Sequence, residues 1–385
     1  MKSKYKFSEL IEEISEQNTE LKYGLDDIVG VTIEKGLIPT IANLQQTALN
    51  KFYIVKPDTF VYNPRTHGVR LGMGFNKTNY TYITSWNNIA FKVKDDALRI
   101  LNPEYLWLYF NRSEWDRETN YHAWGSSTIV FSWNTFLNLE IQIPEKSYQD
   151  NLVRQYNAIK RRIALKQRIN DNLEATLMTV YKDKVADNSE ITTTSPLGSL
   201  CKQITDGKHG DCESEDNSGY FFVSVKDIIN GCIEYKNARQ ITRADFSDAN
   251  KRTNLEVGDI LFTNSGTLGR MALITSSYYA NITTFQKSVA ILKPDTKKIS
   301  SIFMYLSLSY NKSKIIEFAH GSAQKNLLLS DIRGFEIKYP SAEYRNGIDD
   351  LIKPLFERIQ NNNEELIKLR ELSRILLSQI SSLSR

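Results

Sequence analysis

Two long segments of the chain repeat apolar residues at the spacing of one helix face. They fall within residues 147–184 and 342–385, where the seam advances in alternating steps of four and three residues. This rhythm is typical of the a and d positions of a coiled coil. At ~1.5 Å per residue, ~33 helical residues span roughly 50 Å, more than one small domain needs. The seam positions are Leu152, Tyr156, Ile159, Ile163, Lys166, Asn170, Leu173, Leu177 and Val180 in the first segment, and Ile348, Ile352, Leu355, Ile359, Asn362, Leu366, Leu369, Ser373, Leu376 and Ile380 in the second.

The two seams fit one another when the helices run antiparallel. That register places Leu152 opposite Ile380 and Asn170 opposite Asn362. A buried Asn pair fixes register at a cost in stability, so we expect Asn170→Val to stabilise the coil and to loosen its register. The alternative is that each helix packs only on its own domain. Pro354 lacks a backbone N–H and predicts a kink or a fresh start of the second helix at that point.

A globular part precedes each helical segment. Both parts contain short strand-like runs, such as "TFVYN" and "DILFT", and each is interrupted by one helical stretch. The helical stretches "NPEYLWLYFNRSEW" and "SIFMYLSLSYNKSKIIEF" begin at Asn102 and just after Ser300, which are suitable N-caps. This mixture predicts an α+β fold in both parts.

The two globular parts repeat one plan. "GSSTIVFSWNTFLNLEIQIP" (Gly125–Pro144) and "GSAQKNLLLSDIRGFEIKYP" (Gly321–Pro340) share their opening Gly-Ser and their closing Glu-Ile-x-x-Pro. Earlier in each half, "FSELIEEISEQN" aligns with "LGSLCKQITDGK", and "VKPDTFVYNPRTHG" aligns with "VGDILFTNSGTLG". The aligned pairs are Phe7 with Leu197, Leu10 with Leu200, Ile14 with Ile204 and Asn63 with Asn264.

The shared order of these segments indicates an internal duplication. We therefore divide the chain into a first domain (1–146), a first helix (147–184), a second domain (185–341) and a second helix (342–385).

Composition narrows the class of protein. The 385 residues are 41% hydrophobic and 24% charged, as in soluble globular proteins, and no apolar run is long enough to span a bilayer. The N-terminus lacks the apolar stretch of a signal peptide, so we expect a cytoplasmic protein without membrane partners. Cys201, Cys212 and Cys232 form no C-x-x-C pair, which favours free thiols over a zinc site. The net charge of +4 permits local DNA-binding patches without requiring them.

The chain lacks the motifs of the common DNA-modifying enzymes. The nearest approach to the [ND]-P-P-[YFW] motif of adenine methyltransferases is "NPRT" at Asn63, and no phosphate-binding loop is present. Glu336 and Lys338 lack the clustered carboxylates of a nuclease, and the four histidines form no metal-binding spacing. The sequence therefore predicts neither catalysis nor a metal site on this chain.

Two duplicated domains, each followed by a long helix, resemble the DNA specificity subunit of type I restriction-modification enzymes. The resemblance is carried by "ITDGKHG" (Ile204–Gly210), "VGDILFTNSGTLGR" (Val257–Arg270), "AHGSAQKNLLLSDIRGFEIKYP" (Ala319–Pro340) and the tail that follows. The first half matches through "DTFVYNPRTHG", "GSSTIVFSWNTFLNLEIQIP" and its own tail, although no counterpart of "TDGKHG" is clear there.

The resemblance implies a function without catalysis. Each domain would be a target recognition domain for one half of a bipartite asymmetric DNA site, and the antiparallel coil would set the spacer. The partners would be double-stranded DNA, two methyltransferase subunits and the translocating restriction endonuclease subunits. S-adenosylmethionine, ATP and Mg would be bound by those partner subunits and not by this chain.

Turns that occur in both halves are the candidate DNA contacts, because base edges and phosphates are read by polar and basic side chains from loops. The loop residues "AQKN" and "STIV" differ, which predicts two different half-site sequences. The candidates are Asn63, Arg65, Thr66, His67, Arg70, Asn76, Lys77, Ser126 and Ser127 in the first half, and Lys208, His209, Asn264, Ser265, Thr267, Arg270, Gln286, Lys287, Ser322, Gln324, Lys325 and Asn326 in the second.

A second hypothesis comes from another class of protein. The duplicated domains could bind protein, with the coil acting as a dimerisation element in a non-catalytic scaffold. A gel shift with and without a partner methyltransferase separates the two hypotheses.

Overall fold

The computed structural model describes residues 3–40, 47–66, 70–125, 129–322 and 324–383. The chain divides into two compact units, and each unit takes a portion of both long helices. Unit 1 comprises residues 1–163 and 368–385, and unit 2 comprises residues 164–367.

In unit 1 a long run of strands is followed by most of the helices, as expected of an α+β fold. Its strands are β1 (Ser3–Lys6), β2 (Ile11–Ile14), β3 (Val29–Thr32), β4 (Gly36–Pro39), β5 (Tyr53–Val55), β6 (Phe60–Tyr62), β7 (Arg65–Thr66), β8 (Met73–Phe75), β9 (Tyr82–Thr84), β10 (Ile89–Val93), β11 (Ile129–Val130) and β12 (Glu140–Ile143). Its helices are α1 (Phe7–Leu10), α2 (Pro103–Phe110), α3 (Ser113–His122), α4 (Trp133–Asn138) and the first part of α5 (Lys146–Tyr181).

The core of unit 1 lies on one face of a six-stranded sheet of order β2-β10-β6-β8-β3-β4. Phe60 and Phe91 project from that face and stack at 5.0 Å between ring centroids. Phe7 on α1 meets Phe136 on α4 at 4.9 Å in the same aromatic core. This core also takes in side chains from the N-terminal part of α5 and the C-terminal part of the second long helix, including Leu152 and Ile380.

Unit 2 repeats the plan of unit 1. After α5 come β13 (Thr192–Pro196), α6 (Leu197–Leu200), β14 (Cys201–Asp206), β15 (Phe221–Val223), β16 (Ile228–Ile229), β17 (Cys232–Ile233), β18 (Arg239–Gln240), α7 (Arg243–Thr253), β19 (Ile260–Thr263), β20 (Met271–Leu273), α8 (Ser277–Ala280), β21 (Thr283–Phe285), β22 (Val289–Pro294), α9 (Ser301–Glu317), α10 (Leu329–Gly334), β23 (Glu336–Pro340) and α11 (Arg345–Leu383).

Strand pairing makes the duplication explicit. The sheet order β14-β22-β19-β20 of unit 2 matches β2-β10-β6-β8 of unit 1, with the pairs antiparallel in both. The first and last strands of each globular part also pair, β1 with β12 and β13 with β23. The amide of Phe7 donates to the carbonyl of Leu139 at 3.0 Å, and the amide of Leu197 donates to that of Phe335 at 2.9 Å.

Two of the residue alignments made from sequence are wrong by one position. Ile14 pairs with Ala90 and packs on one sheet face, whereas Ile204 packs on the opposite face, because a bulge between Cys201 and Gln203 shifts the strand. Asn63 corresponds to Thr263 and not to Asn264. This follows from the pairing of Arg65 with Val130 and of Ser265 with Asn326.

The two predicted N-caps are confirmed, but one predicted helix is two. Asn102 accepts from the amide of Glu104 at 2.8 Å, and the hydroxyl of Ser300 accepts from the amide of Phe303 at 3.1 Å. The stretch after Asn102 breaks because the side chains of Asn111 and Arg112 donate to main-chain carbonyls of the last turn of α2. The short helices α4 and α10 were not predicted.

Both long helices form close to the predicted bounds. All predicted seam residues are buried or half-buried, and α11 continues through the exposed Pro354, so a fresh start of the helix there is wrong. In unit 2 the side-chain amide of Asn362 donates to the side-chain oxygen of Asn170 at 2.7 Å, which confirms the predicted pair.

Candidate nucleic-acid interface

Main-chain hydrogen bonds join several turns of unit 2 to one another. The amide of Lys208 donates to the carbonyl of Phe285 at 2.8 Å, and the amide of Lys287 donates to the carbonyl of Lys208 at 3.2 Å. Gly207 permits this approach, since a Cβ there would lie 2.1 Å from the carbonyl oxygen of Phe285. The motif "TDGKHG" therefore allows one turn to pack closely against another.

The turn after β19 is attached to its neighbours in the same way. The amide of Asn264 donates to the carbonyl of Ser288 at 3.0 Å, and its carbonyl accepts from the amide of Leu327 at 2.8 Å. Within the turn, the hydroxyl of Thr263 donates to the carbonyl of Thr267 at 2.6 Å and accepts from the amide of Arg270 at 2.8 Å. The main chain of this turn is consequently held in a fixed position.

These turns surround a surface depression of about 610 Å³. Five predicted contacts line it: Lys208, Ser265, Gln286, Lys287 and Gln324. Its lining also contains Ser224, Lys226 and Ser288, which were not predicted from the sequence because they lie outside the turns common to both halves. Separate parts of the sequence thus contribute to one polar site.

The charge of the depression depends on which lysines are neutralised. The amine of Lys208 donates to the carboxylates of Asp248 and Asp245, each 3.2 Å away, and these hydrogen bonds raise the pKa of Lys208. Lys226 and Lys287 form no ion pair within the described parts of the chain. The uncompensated positive charge at this site therefore belongs mainly to those two lysines, which suits contact with phosphate.

Several predicted contacts instead have structural roles, and the structure contradicts them as side chains that face DNA. Asn76 is 1% exposed and donates to the carbonyls of Val55 and Tyr80, while Thr66 is buried in β7. Asn264 is 6% exposed. The guanidinium of Arg270 donates to the carbonyls of Val225 (3.1 Å) and Ile228 (3.3 Å). Polar side chains in buried turns often form hydrogen bonds to nearby main-chain groups.

The remaining candidates of unit 2 lie at the surface. His209 is exposed, with its ring Nε2 3.0 Å from the carboxylate of Asp206. Thr267, Ser322 and Lys325 are exposed, and Asn326 is half-buried beside Ser265.

The candidates of unit 1 are less concentrated. Arg65 is exposed, and its amide donates to the side-chain oxygen of Asn63 at 3.0 Å. Arg70 lies 3.8 Å from Asp116, and Lys77 forms an ion pair with Glu104 at 2.9 Å. His67, Ser126 and Ser127 lie outside the described residues.

A buried polar chain joins the long helices to the globular part of unit 2. Lys166 contacts both Asn362 (2.8 Å) and Glu365 (2.7 Å). Asn170 bonds Asn362 and also donates to the side-chain oxygen of Asn363 at 2.7 Å. Asn363 in turn donates to the carbonyl of Asn230 at 3.2 Å. The helix pair is therefore anchored to the turn between β16 and β17.

Within the described ranges, no cluster of three His, Cys, Asp or Glu residues is placed to hold a metal ion. No helix among those residues is both long and apolar enough to cross a bilayer.

Comparison with known proteins identifies the second half of the chain. Residues 192–371 match the model of the type I restriction modification DNA specificity domain. These residues belong to that family. The chain is 22% identical over 302 residues to the type I restriction enzyme MjaIX specificity subunit of Methanocaldococcus jannaschii, an alignment covering 72% of this chain and 68% of that subunit.

Two further type I restriction-modification subunits are similar to this chain. The type I restriction enzyme EcoBI specificity subunit of Escherichia coli is 25% identical over 167 residues, which cover 42% of this chain and 34% of that subunit. The crystal structure of the type I restriction-modification system S subunit from M. genitalium has the same fold, with a TM-score of 0.61 at 14% identity, over 99% of this chain and 96% of that one. Together the matches indicate a type I restriction-modification specificity subunit, and hence a role in DNA recognition.

Proposed function

We propose that the globular part of each unit reads one half of a bipartite, asymmetric DNA site. The observation that carries this proposal is the common strand order of the two units, with polar turns in equivalent places. A duplicated reader suits a site made of two halves. The side chains on the equivalent turns differ between the units, so the two half-sites would differ in sequence.

The long helices would fix the separation of the half-sites. Two readers on one face of a duplex need a separation near one helical turn of DNA, ~34–36 Å. Helices of this length can hold that distance at ~1.5 Å per residue. The polar chain through Asn170 and Asn362 supports this role, because a buried polar pair selects one register over its neighbours.

The outer faces of the helices suit the docking of partner subunits. They expose branched apolar side chains that a lone helix pair would leave in water, and such surfaces are typical of protein interfaces. We propose that two methyltransferase subunits, and with them the translocating endonuclease subunits, assemble on this chain. The exposed residues are Leu165, Ile169, Leu351, Ile367, Leu372 and Ile375.

Catalysis would lie on the partner chains, together with S-adenosylmethionine, ATP and Mg. The pair closest to a nuclease motif, Glu336 and Lys338, has another explanation. The amine of Lys338 donates to the carbonyl of Ala186 at 3.1 Å and so joins β23 to the helical turn that follows α5.

The proposal is tested by expressing this chain with its methyltransferase subunit in a host that lacks adenine methylation, and then sequencing the methylome. We expect one bipartite motif with two dissimilar halves, absent when this chain is omitted. A contiguous motif, or none in cells that contain the assembled complex, contradicts the proposal. A gel shift with and without the methyltransferase distinguishes a DNA reader from a protein scaffold.

A further inference from the structure

A small three-strand ladder recurs at the same place in both units. In unit 1, Arg65 pairs with Val130, and Val130 pairs with Trp124 through two main-chain bonds of 2.8 and 3.0 Å. In unit 2, Ser265 pairs with Asn326, and Asn326 pairs with His320 through two bonds of 2.8 Å. The ladders therefore equate Arg65 with Ser265, Val130 with Asn326, and Trp124 with His320.

An equivalent main-chain hydrogen bond lies beside the ladder in each unit. The amide of Phe131 donates to the carbonyl of Pro64, and the amide of Leu327 donates to the carbonyl of Asn264, both at 2.8 Å. Phe131 and Leu327 are both fully buried. The ladder residues are therefore held on a rigid base, as a reader of base edges requires.

The unit 2 ladder lies beside the polar depression already described. Ser265 lines that depression together with Gln324. His320 is largely exposed, and its ring lies 3.2 Å from the carboxylate of Asp331, which orients it. The side chains of this ladder are suited to hydrogen bonding.

The unit 1 ladder has the same main-chain pairing as the unit 2 ladder but carries different side chains. Trp124 is 81% exposed although its main chain is fixed, and the exposed Arg65 stands two strands away on the same ladder. A large aromatic side chain exposed on a rigid element is available to pack against a ligand. Arginine forks match guanine O6 and N7, and apolar surfaces match the methyl group of thymine.

We propose that Arg65 and Trp124 are the specificity-determining residues of unit 1, with Arg65 on a guanine and Trp124 on a thymine methyl group of one half-site. Ser265 and His320 hold the equivalent positions of unit 2. This inference rests on the proposed function, since it assigns residues to the reading of each half-site.

The test uses the complex with its methyltransferase subunits and duplexes in which single bases of the identified motif are changed. Trp124→Ala should bind the full site about 10-fold more weakly, the usual effect of losing one base contact. Uracil in place of the contacted thymine should weaken the wild type equally and leave Trp124→Ala unaffected. Tyr80→Ala, which removes another exposed aromatic of unit 1 outside the ladder, should leave the base preference unchanged.

The double variant Arg65→Ser, Trp124→His places the unit 2 residues on the unit 1 ladder. It should change the preferred bases of one half-site and leave the other half-site and the spacer as they were. Unchanged preference in Trp124→Ala and in the double variant would overturn the inference, as would equal losses at both half-sites. The proposed function fails separately, if the wild-type complex has no bipartite motif.

Discussion

The side-chain amide of Asn362 donates to the side-chain oxygen of Asn170 at 2.7 Å between the two long helices. Both residues are buried, and Asn170 uses its own amide on Asn363. Sliding either helix by one heptad would separate Asn170 from Asn362 and Asn363 and leave all three side chains in an apolar seam. One set of polar contacts thus selects the alignment of the two long helices.

Replacing Asn170 alone should destabilise the protein, in contrast to the expectation from sequence. Asn170→Val removes the partner of both Asn362 and Asn363, and a buried polar group left unpaired costs about 1–3 kcal/mol. Urea unfolding should therefore show a lower free energy of unfolding. Asn172→Val, at an exposed position of the same helix, is the matched control and should change it by less than about 0.5 kcal/mol. A more stable Asn170→Val would contradict this account of the seam.

The glycine beneath Lys208 should be intolerant of a methyl group. Gly207→Ala brings a Cβ within 2.4 Å of the carbonyl oxygens of both Phe285 and Gln286, so the turn that carries Lys208 must move. We expect a loss of about 1–3 kcal/mol in stability, as for other overpacked sites, together with weaker DNA binding by the complex. Gly30→Ala, where a Cβ meets open space, is the control. Equal stability and DNA affinity for the two variants would refute the role given to Gly207.

Lys287 should contribute to DNA affinity through phosphate. It is exposed and forms no ion pair within the described residues, so Lys287→Ala should lower the slope of log affinity against log salt by about 1. The matched control is Lys353→Ala on α11, which should leave the slope unchanged. A weakened affinity with an unaltered slope would mean that Lys287 does not contact phosphate.

The cysteines should be unreactive in the folded protein. Burial raises the pKa of Cys201 to about 12 and that of Cys232 to about 11, whereas an unfolded thiol ionises near pH 8.5. The stabilisation from keeping these thiols neutral is therefore complete below about pH 8.5 and is lost as the pH rises toward 12. A thiol reagent at pH 7.5 should react slowly until urea is added. Rapid reaction of either thiol in the native protein would show that its burial is wrong.

Periodicity and duplication could be read from the sequence because they are long-range patterns that single substitutions do not erase. The Asn170–Asn362 pair followed from heptad spacing alone. The alignment of Ile14 with Ile204 failed because a bulge adds one residue without a sequence signal. The roles of Asn76 and Arg270 depend on which carbonyls the fold places beside them, and no local pattern encodes that.

The central claim is that the two long helices set the distance between two DNA half-sites. It is tested most directly by inserting one matched heptad into α5 and one into α11, near the boundary between the units at Ile163 and Lys368. Seven residues lengthen a helix by ~10 Å, or about three base pairs at ~3.4 Å each. Methylome sequencing should then find both half-sites unchanged and the spacer longer by about three base pairs. An altered half-site with the original spacer would contradict the claim.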